Sequence, residues 1–292
     1  MTAKHYLYSH VWAVDLNTLG WLERELYGKL GHAIAPPDTR VDQGPQAGSY
    51  GNDYQLAGRV AVIPIQGMIM QKDDWYFCCS TERLGQALDQ AIADPAVDCI
   101  VLDCYSPGGS VYGVPELAAK IAACPKRVVA VANPLSASAA YWICSAADEF
   151  VLTPSGHVGS IGVYWLHSDL SRMFNDVGVT NTLVFAGKYK VEGNPYQPLG
   201  DEAKAALQAD VDHVYTMFVQ AVAVNRNTTP EKVQSGYGEG RIVNSSQAVE
   251  LGLVDRIATF EEVLAGEINR GGDFNAMAAA RQRQAEAFKP NG

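Results

Sequence analysis

From Arg59 onward the chain alternates short β-branched runs with Ala-rich helical stretches, and no other feature of the sequence constrains the fold as strongly. The pattern predicts strands over 60–65, 98–103, 127–132 and 149–152, with helices over 81–93, 113–123 and 138–147 between them. A strand that feeds a helix and then another strand needs a crossover, so the strands run largely parallel in one sheet with helices on its faces. An α/β fold follows. Beyond Val158–Trp165 the same reading predicts a helix over 169–177, a strand over 180–185 and a loop holding Gly187, Lys188, Lys190, Gly193, Asn194 and Pro195. A long helix over about 201–225 comes next, then a short helix from Pro230, a strand near 241–243 and a helix over 246–251.

The flanks read differently. Leu16, Leu19, Leu22, Leu26 and Leu30 recur at helical spacing before Pro36, Pro37, Gly44, Pro45 and Gly48 break the pattern. Residues 1–57 are therefore read as an N-terminal helical arm and linker, 58–268 as a single α/β domain, and 269–292 as a polar C-terminal tail. With 292 residues, 48% of them hydrophobic, the chain can bury a full core. A net charge of -10 with no dense Lys/Arg cluster leaves no footprint for a phosphate backbone, so nucleic acid is excluded as a partner. No stretch approaches the roughly 20 apolar residues that span a bilayer, and Asp15, Glu23, Arg24 and Glu25 interrupt any leader-like run, so the expected location is the cytoplasm. Cysteines 78, 79, 99, 104, 124 and 144 lack metal spacing and fit small buried thiols of a reducing compartment.

Two junctions carry candidate chemistry. After the strand at 98–103 comes Ser106-Pro107-Gly108-Gly109-Ser110. Paired glycines let the backbone turn sharply and leave amide groups able to bind a developing negative charge, which is an oxyanion-hole design as well as a plain strand-to-helix turn. The next junction, Asn133 to Trp142, sets Ser136 and Ser138 among small residues at the start of a helix. Small neighbours allow a substrate backbone to approach closely, and a serine there can act as a nucleophile or merely as a helix cap.

The order of these motifs resembles a known family. Ser-Pro-Gly-Gly, then Ser136-Ala137-Ser138-Ala139-Ala140-Tyr141-Trp142, then Val158-Gly159-Ser160-Ile161-Gly162-Val163, then Gly187-Lys188-Tyr189-Lys190 is similar to the S49 peptidases, the signal peptide peptidase A family. The loop Lys190 to Tyr196 resembles the phage branch of head proteases of the minor capsid protein C type. The resemblance covers roughly residues 58–268 and implies a ClpP/crotonase-like superfold of stacked βα units. It implies a Ser/Lys dyad with Ser138 as nucleophile and Lys190 as general base, an oxyanion hole from the amides of Gly109 and Ala139, and Ser160 orienting the lysine. Ser136 is the competing serine and Lys188 the competing lysine. It further implies a homo-oligomer whose active sites are shared between subunits.

Chemistry fits these roles, because a serine hydroxyl is a poor nucleophile until a neighbouring base takes its proton, and lysine is a base only when neutral, a form that an apolar groove favours. A Ser/His/Asp triad would need His157, His167 or His213 to reach Ser138. No metal, nucleotide or other cofactor is expected. Gly156, Gly159 and Gly162 lack the spacing of a nucleotide loop. The expected activity is endopeptidase cleavage through an acyl-enzyme, in phage or prophage capsid maturation, with scaffold, portal or capsid proteins as substrates. The alternatives are a bacterial protease of the signal peptide peptidase type, a crotonase-like acyl-CoA enzyme and a catalytically inactive capsid-assembly component.

Overall fold

The computed structural model describes residues 53–72 and 78–270 together with the backbone of Trp12–Val14. The predicted helical pattern from Leu16 to Leu30 and the predicted tail beyond residue 270 lie outside the described residues. The three described residues of the arm are extended, as strand β1 (Trp12–Val14).

The core strands are β3 (Val60–Gln66), β6 (Cys99–Ser106) and β8 (Arg127–Ala137), side by side and parallel. Helix α1 (Thr81–Ala93) precedes β6, and α2 (Val114–Ala122) joins β6 to β8. Helix α3 (Ala139–Ser145) starts directly after β8 and leads to β9 (Glu149–Leu152). Strand β2 (Gln55–Ala57) closes one edge against β3, and β10 (His157–Gly159) with β11 (Ile242–Asn244) closes the other. A smaller sheet has the order β1, β7 (Gly108–Ser110), β4 (Met68–Met70), β5 (Cys78–Ser80).

Period-two alternation builds the core on both faces of the main sheet. Ile100 and Leu102 of β6 and Val128, Ala130 and Ala132 of β8 join Leu84, Leu88, Leu117 and all the large residues of α3. Their neighbours Cys99, Val101, Val129 and Val131 point the other way, onto Val263 of α8 (Phe260–Asn269). Because β8 is eleven residues long it serves two partners: Val129–Ala132 pair with β9 and Leu135–Ala137 with β10. Local signals set the helix starts. Ser80 Oγ accepts the Arg83 N–H ahead of α1, and Thr259 and Glu262 form a reciprocal capping box on α8.

The predicted elements largely form, including α5 over Asp201–Asn225, α6 (Pro230–Gly236) and α7 (Ser245–Leu251). One does not. Residues 180–185 make no strand, and Val184 stands 94% exposed with Phe185 51% exposed. A β-branched run becomes a strand only where it pairs with another strand, and among the described residues this segment, between the short helix α4 (Ser171–Asp176) and α5, pairs with none.

Ion pairs tie β9 to the end of the domain. Glu149 accepts from Arg256 Nε at 2.5 Å and from Arg127, whose guanidinium also bonds both oxygens of Glu267 at 3.1 Å. Asp255 pairs with Arg226 at 2.7 Å and accepts the Phe150 N–H at 2.7 Å. Burial alone would raise both carboxyl pKa values, but the arginines hold Glu149 and Asp255 below their ordinary values of 4.5 and 3.8. A lowered carboxylate pKa stabilises the fold above the unfolded value, and that stability is lost as the pH falls through the folded one. The melting temperature is therefore expected to decline once the pH drops below about 4.5, and Arg226→Met should lower it at pH 7 and make the acid decline shallower. A calorimetric pH series checks this; an unchanged acid slope would remove Asp255 from the account.

Candidate functional site

The register of the central strands brings the two junctions together. Ser106 of β6 lies opposite Ser136 of β8, so the glycine turn and the Ser138 turn leave the sheet side by side, and α3 packs against β7. On the other flank of β8, Gly159 of β10 lies opposite Ala137 and accepts the Ser138 N–H at 2.8 Å. Ser138, Ala139, Gly109 and Ser160 thus belong to one corner of the molecule.

Ser138 is the residue at which β8 becomes α3, and its backbone has φ 57° and ψ -120°. A non-glycine residue at positive φ is strained, and such strain persists where the surroundings over-determine it. Here they do: β8 is paired on both sides, and α3 is locked by Trp142 stacked on Phe218 of α5 at 4.6 Å and by Tyr141 Oη donating to the Leu253 carbonyl at 2.9 Å. Ser138 does not cap the helix with its side chain. Its Oγ makes one long contact, 3.5 Å to the Gly162 carbonyl oxygen, and the residue is only 1% exposed. Ser136, the competing serine, is paired between Ser106 and Val158, just after a register shift in the pairing of β6 with β8.

Gly109 runs so close to β4 that a Cβ there would meet the Ile69 carbonyl oxygen at 1.9 Å, and no side chain fits. The turn before it is held by Ser106, to which the sequence motifs assign no role. Ser106 Oγ donates to the Gly67 carbonyl at 2.6 Å and accepts the Gly108 N–H at 3.2 Å. A serine two residues ahead of a glycine is a recognisable side-chain turn, so a local signal for it exists. Ser160 also has a positive φ, 56°, and its N–H bonds the Arg241 carbonyl at 2.8 Å. Gly159 before it has φ 118°, where a Cβ would lie 2.6 Å from that same carbonyl oxygen.

The lysines lie on the exposed loop that precedes α5. Lys190 lies exposed on a turn in which its N–H bonds the Gly187 carbonyl at 3.1 Å, and among the described residues no hydrogen bond joins it to Ser138. Lys188 donates to Glu202 at 2.7 Å and to Tyr189 at 2.8 Å, contacts that raise its pKa above the ordinary value. Nor, among the described residues, does a histidine complete a triad with Ser138. His157 is exposed in β10, His213 is exposed on α5, and His167 Nε2 is buried without a hydrogen-bond partner among the described residues. No group of three His, Cys, Asp or Glu among the described residues is arranged to hold a metal ion.

Known proteases are among the proteins this chain is similar to. Capsid assembly protease C of Escherichia phage lambda is 31% identical over 229 residues, 76% of this chain and 51% of its own. Head-tail preconnector protein GP5 of Enterobacteria phage P21 is 28% identical over 247 residues, 79% of this chain and 49% of its own. The chain thus spans about half the length of these relatives. Among solved structures, an enoyl-CoA hydratase from Polaromonas sp. JS666 is 14% identical with a TM-score of 0.48, covering 82% of this chain and 84% of that one. A score below one half says nothing about chemistry. Residues 121–267 match the family profile of Peptidase family S49, from the end of α2 through the Ser138 junction, the Gly159–Gly162 turn and the lysine loop into α8: the chain belongs to peptidase family S49.

Proposed function

We propose that the chain is a serine endopeptidase acting through an acyl-enzyme, with Ser138 as nucleophile and Lys190 as general base. The observation that carries this is the strained, doubly clamped turn at Ser138, set between the glycine turn at Gly109 and the Gly159–Gly162 turn. Neutral Lys190 takes the hydroxyl proton as Ser138 Oγ attacks the scissile carbonyl carbon, and the amides of Gly109 and Ala139 receive the negative charge of the tetrahedral oxygen. The C–N bond breaks as the lysine returns its proton to the leaving amine. Water then adds to the ester by the same route in reverse, releasing the acid and the free hydroxyl. Ser160 orients the lysine ammonium. Lys188 is a poor base because its contacts with Glu202 and Tyr189 favour its charged form.

Lys190 reaches a serine from a neighbouring copy. Its exposure, together with exposed Val177, Val179, Val184 and Phe185 on the same stretch, supports a surface that a second subunit covers. The similarity to a capsid assembly protease supports a setting in capsid maturation, in the host cytoplasm or the prohead, with scaffold, portal or capsid proteins as substrates. Among the described residues no helix is long and apolar enough to cross a membrane.

A serine-directed phosphonate tests the assignment without a known substrate. One adduct per chain is expected, mapped by mass to Ser138 and lost in Ser138→Ala. An adduct on Ser136, or none under conditions that label a control serine peptidase, overturns the nucleophile assignment.

A further inference from the structure

Both backbone edges of β7 are occupied by the chain itself. On one side β4 runs parallel to it, with Ile69 opposite Gly109. On the other, β1 runs antiparallel, with Val14 opposite Gly108, Ala13 opposite Gly109 and Trp12 opposite Ser110. These neighbours differ in how firmly they are built in. All three residues of β4 are buried, and the strand pairs onward with β5. Strand β1 is three residues long, ends its sheet, and pairs with β7 alone among the described strands.

An extended polypeptide passing the Ser138 corner would gain its backbone hydrogen bonds by adding to a strand edge there, and β7 is the strand of the glycine turn itself. The edge open to such addition is the one that β1 holds. At this corner Gly108, Gly109 and Ser110 are buried, and Ser138 is 1% exposed.

We propose that Trp12–Val14 is a displaceable strand occupying the substrate's place on β7, so that an extended polypeptide enters by exchanging with it. The proposal rests on the reading of Ser138 as nucleophile and Gly109 as oxyanion donor. The occupant and the substrate use the same kind of backbone hydrogen bond, so the exchange needs no matched side chains and suits an enzyme with many extended substrates. A site closed in about nine molecules of ten would bind substrate about tenfold more weakly than an open one.

Successive N–H groups along a strand point to opposite edges, so replacing two neighbours by proline removes at least one donor facing β7 whichever residues carry them. In the full chain, Ala13→Pro/Val14→Pro is expected to raise kcat/KM on a quenched fluorescent (Ala-Ala-Leu)3 peptide about tenfold, mainly through a lower KM. A second arm needs no catalysis and no proline. In Ser138→Ala protein, deuterium exchange at the amides of residues 12–14 should speed up when the same unlabelled peptide is added to saturation. Unchanged kcat/KM in a folded double variant, a loss of activity in it, or exchange that the bound peptide does not alter would each overturn the proposal. Should Ser138→Ala still hydrolyse the peptide, the nucleophile reading fails while the exchange arm continues to report on the strand.

Discussion

Ser138→Ala is expected to lower peptidase kcat by roughly four to six orders of magnitude while leaving the melting temperature nearly unchanged. The two halves of this expectation have separate causes. Removing the nucleophile removes the covalent route, and what remains is the rate that binding and the oxyanion donors give to water alone. The fold loses little, because the hydroxyl makes one long contact, 3.5 Å to the Gly162 carbonyl, and caps nothing. Alanine also tolerates the position no worse than serine, since both carry a Cβ at the same positive φ. Hydrolysis of a peptide substrate and a thermal melt on the same preparation check both halves. Near-normal turnover would move the nucleophile to Ser136, and a large fall in melting temperature would make any loss of activity uninformative about chemistry.

Lys190→Met should be equally inactive, with Lys188→Met retaining most activity because its contacts with Glu202 and Tyr189 lie on the solvent side of the loop. The sharper experiment mixes the two dead proteins. If each site takes its serine from one subunit and its lysine from the next, random exchange of equal amounts of Ser138→Ala and Lys190→Met subunits leaves about a quarter of sites with both residues intact. About a quarter of the wild-type rate should return. Native mass spectrometry verifies that the subunits have exchanged, and continued absence of activity in verified mixed assemblies would place the dyad within one chain. Arginine at 190 should not rescue, since a guanidinium stays protonated and cannot act as a base.

Much of the fold is legible in the sequence, and for local reasons. Helix α1 runs over Thr81–Ala93 as its pattern predicts, because Ser80 caps its start and Asp94-Pro95 ends its periodicity. Strand 60–65 is a continuous apolar run and 149–152 is apolar after Glu149, the kind of pattern a doubly covered sheet requires. The sequence is silent on the register that sets Ser106 beside Ser136, since pairing between strands distant along the chain leaves no local trace. It misleads at 180–185, where the β-branched pattern reports a preference for a pleated neighbour that the isolated chain does not supply. Nor does it reveal the positive φ at Ser138 and Ser160, because neither is glycine and tertiary packing alone imposes that conformation.

Strand β8 carries Ser138 at its end while its two halves are clamped by different neighbours, β9 and β10, with β6 along its opposite edge. Proteins open piecemeal, and segments with few partners open at low free energy while central strands open only with the whole molecule. The serine corner therefore belongs to the last part of the domain to melt. Heating should leave the serine corner formed up to the cooperative transition and unmake it in the same step that exposes the core. The lysine loop, exposed and turn-built, sits at the opposite end of that scale. One half of the proposed dyad is thus anchored as rigidly as the fold permits, and the other is free to be placed by whatever it meets.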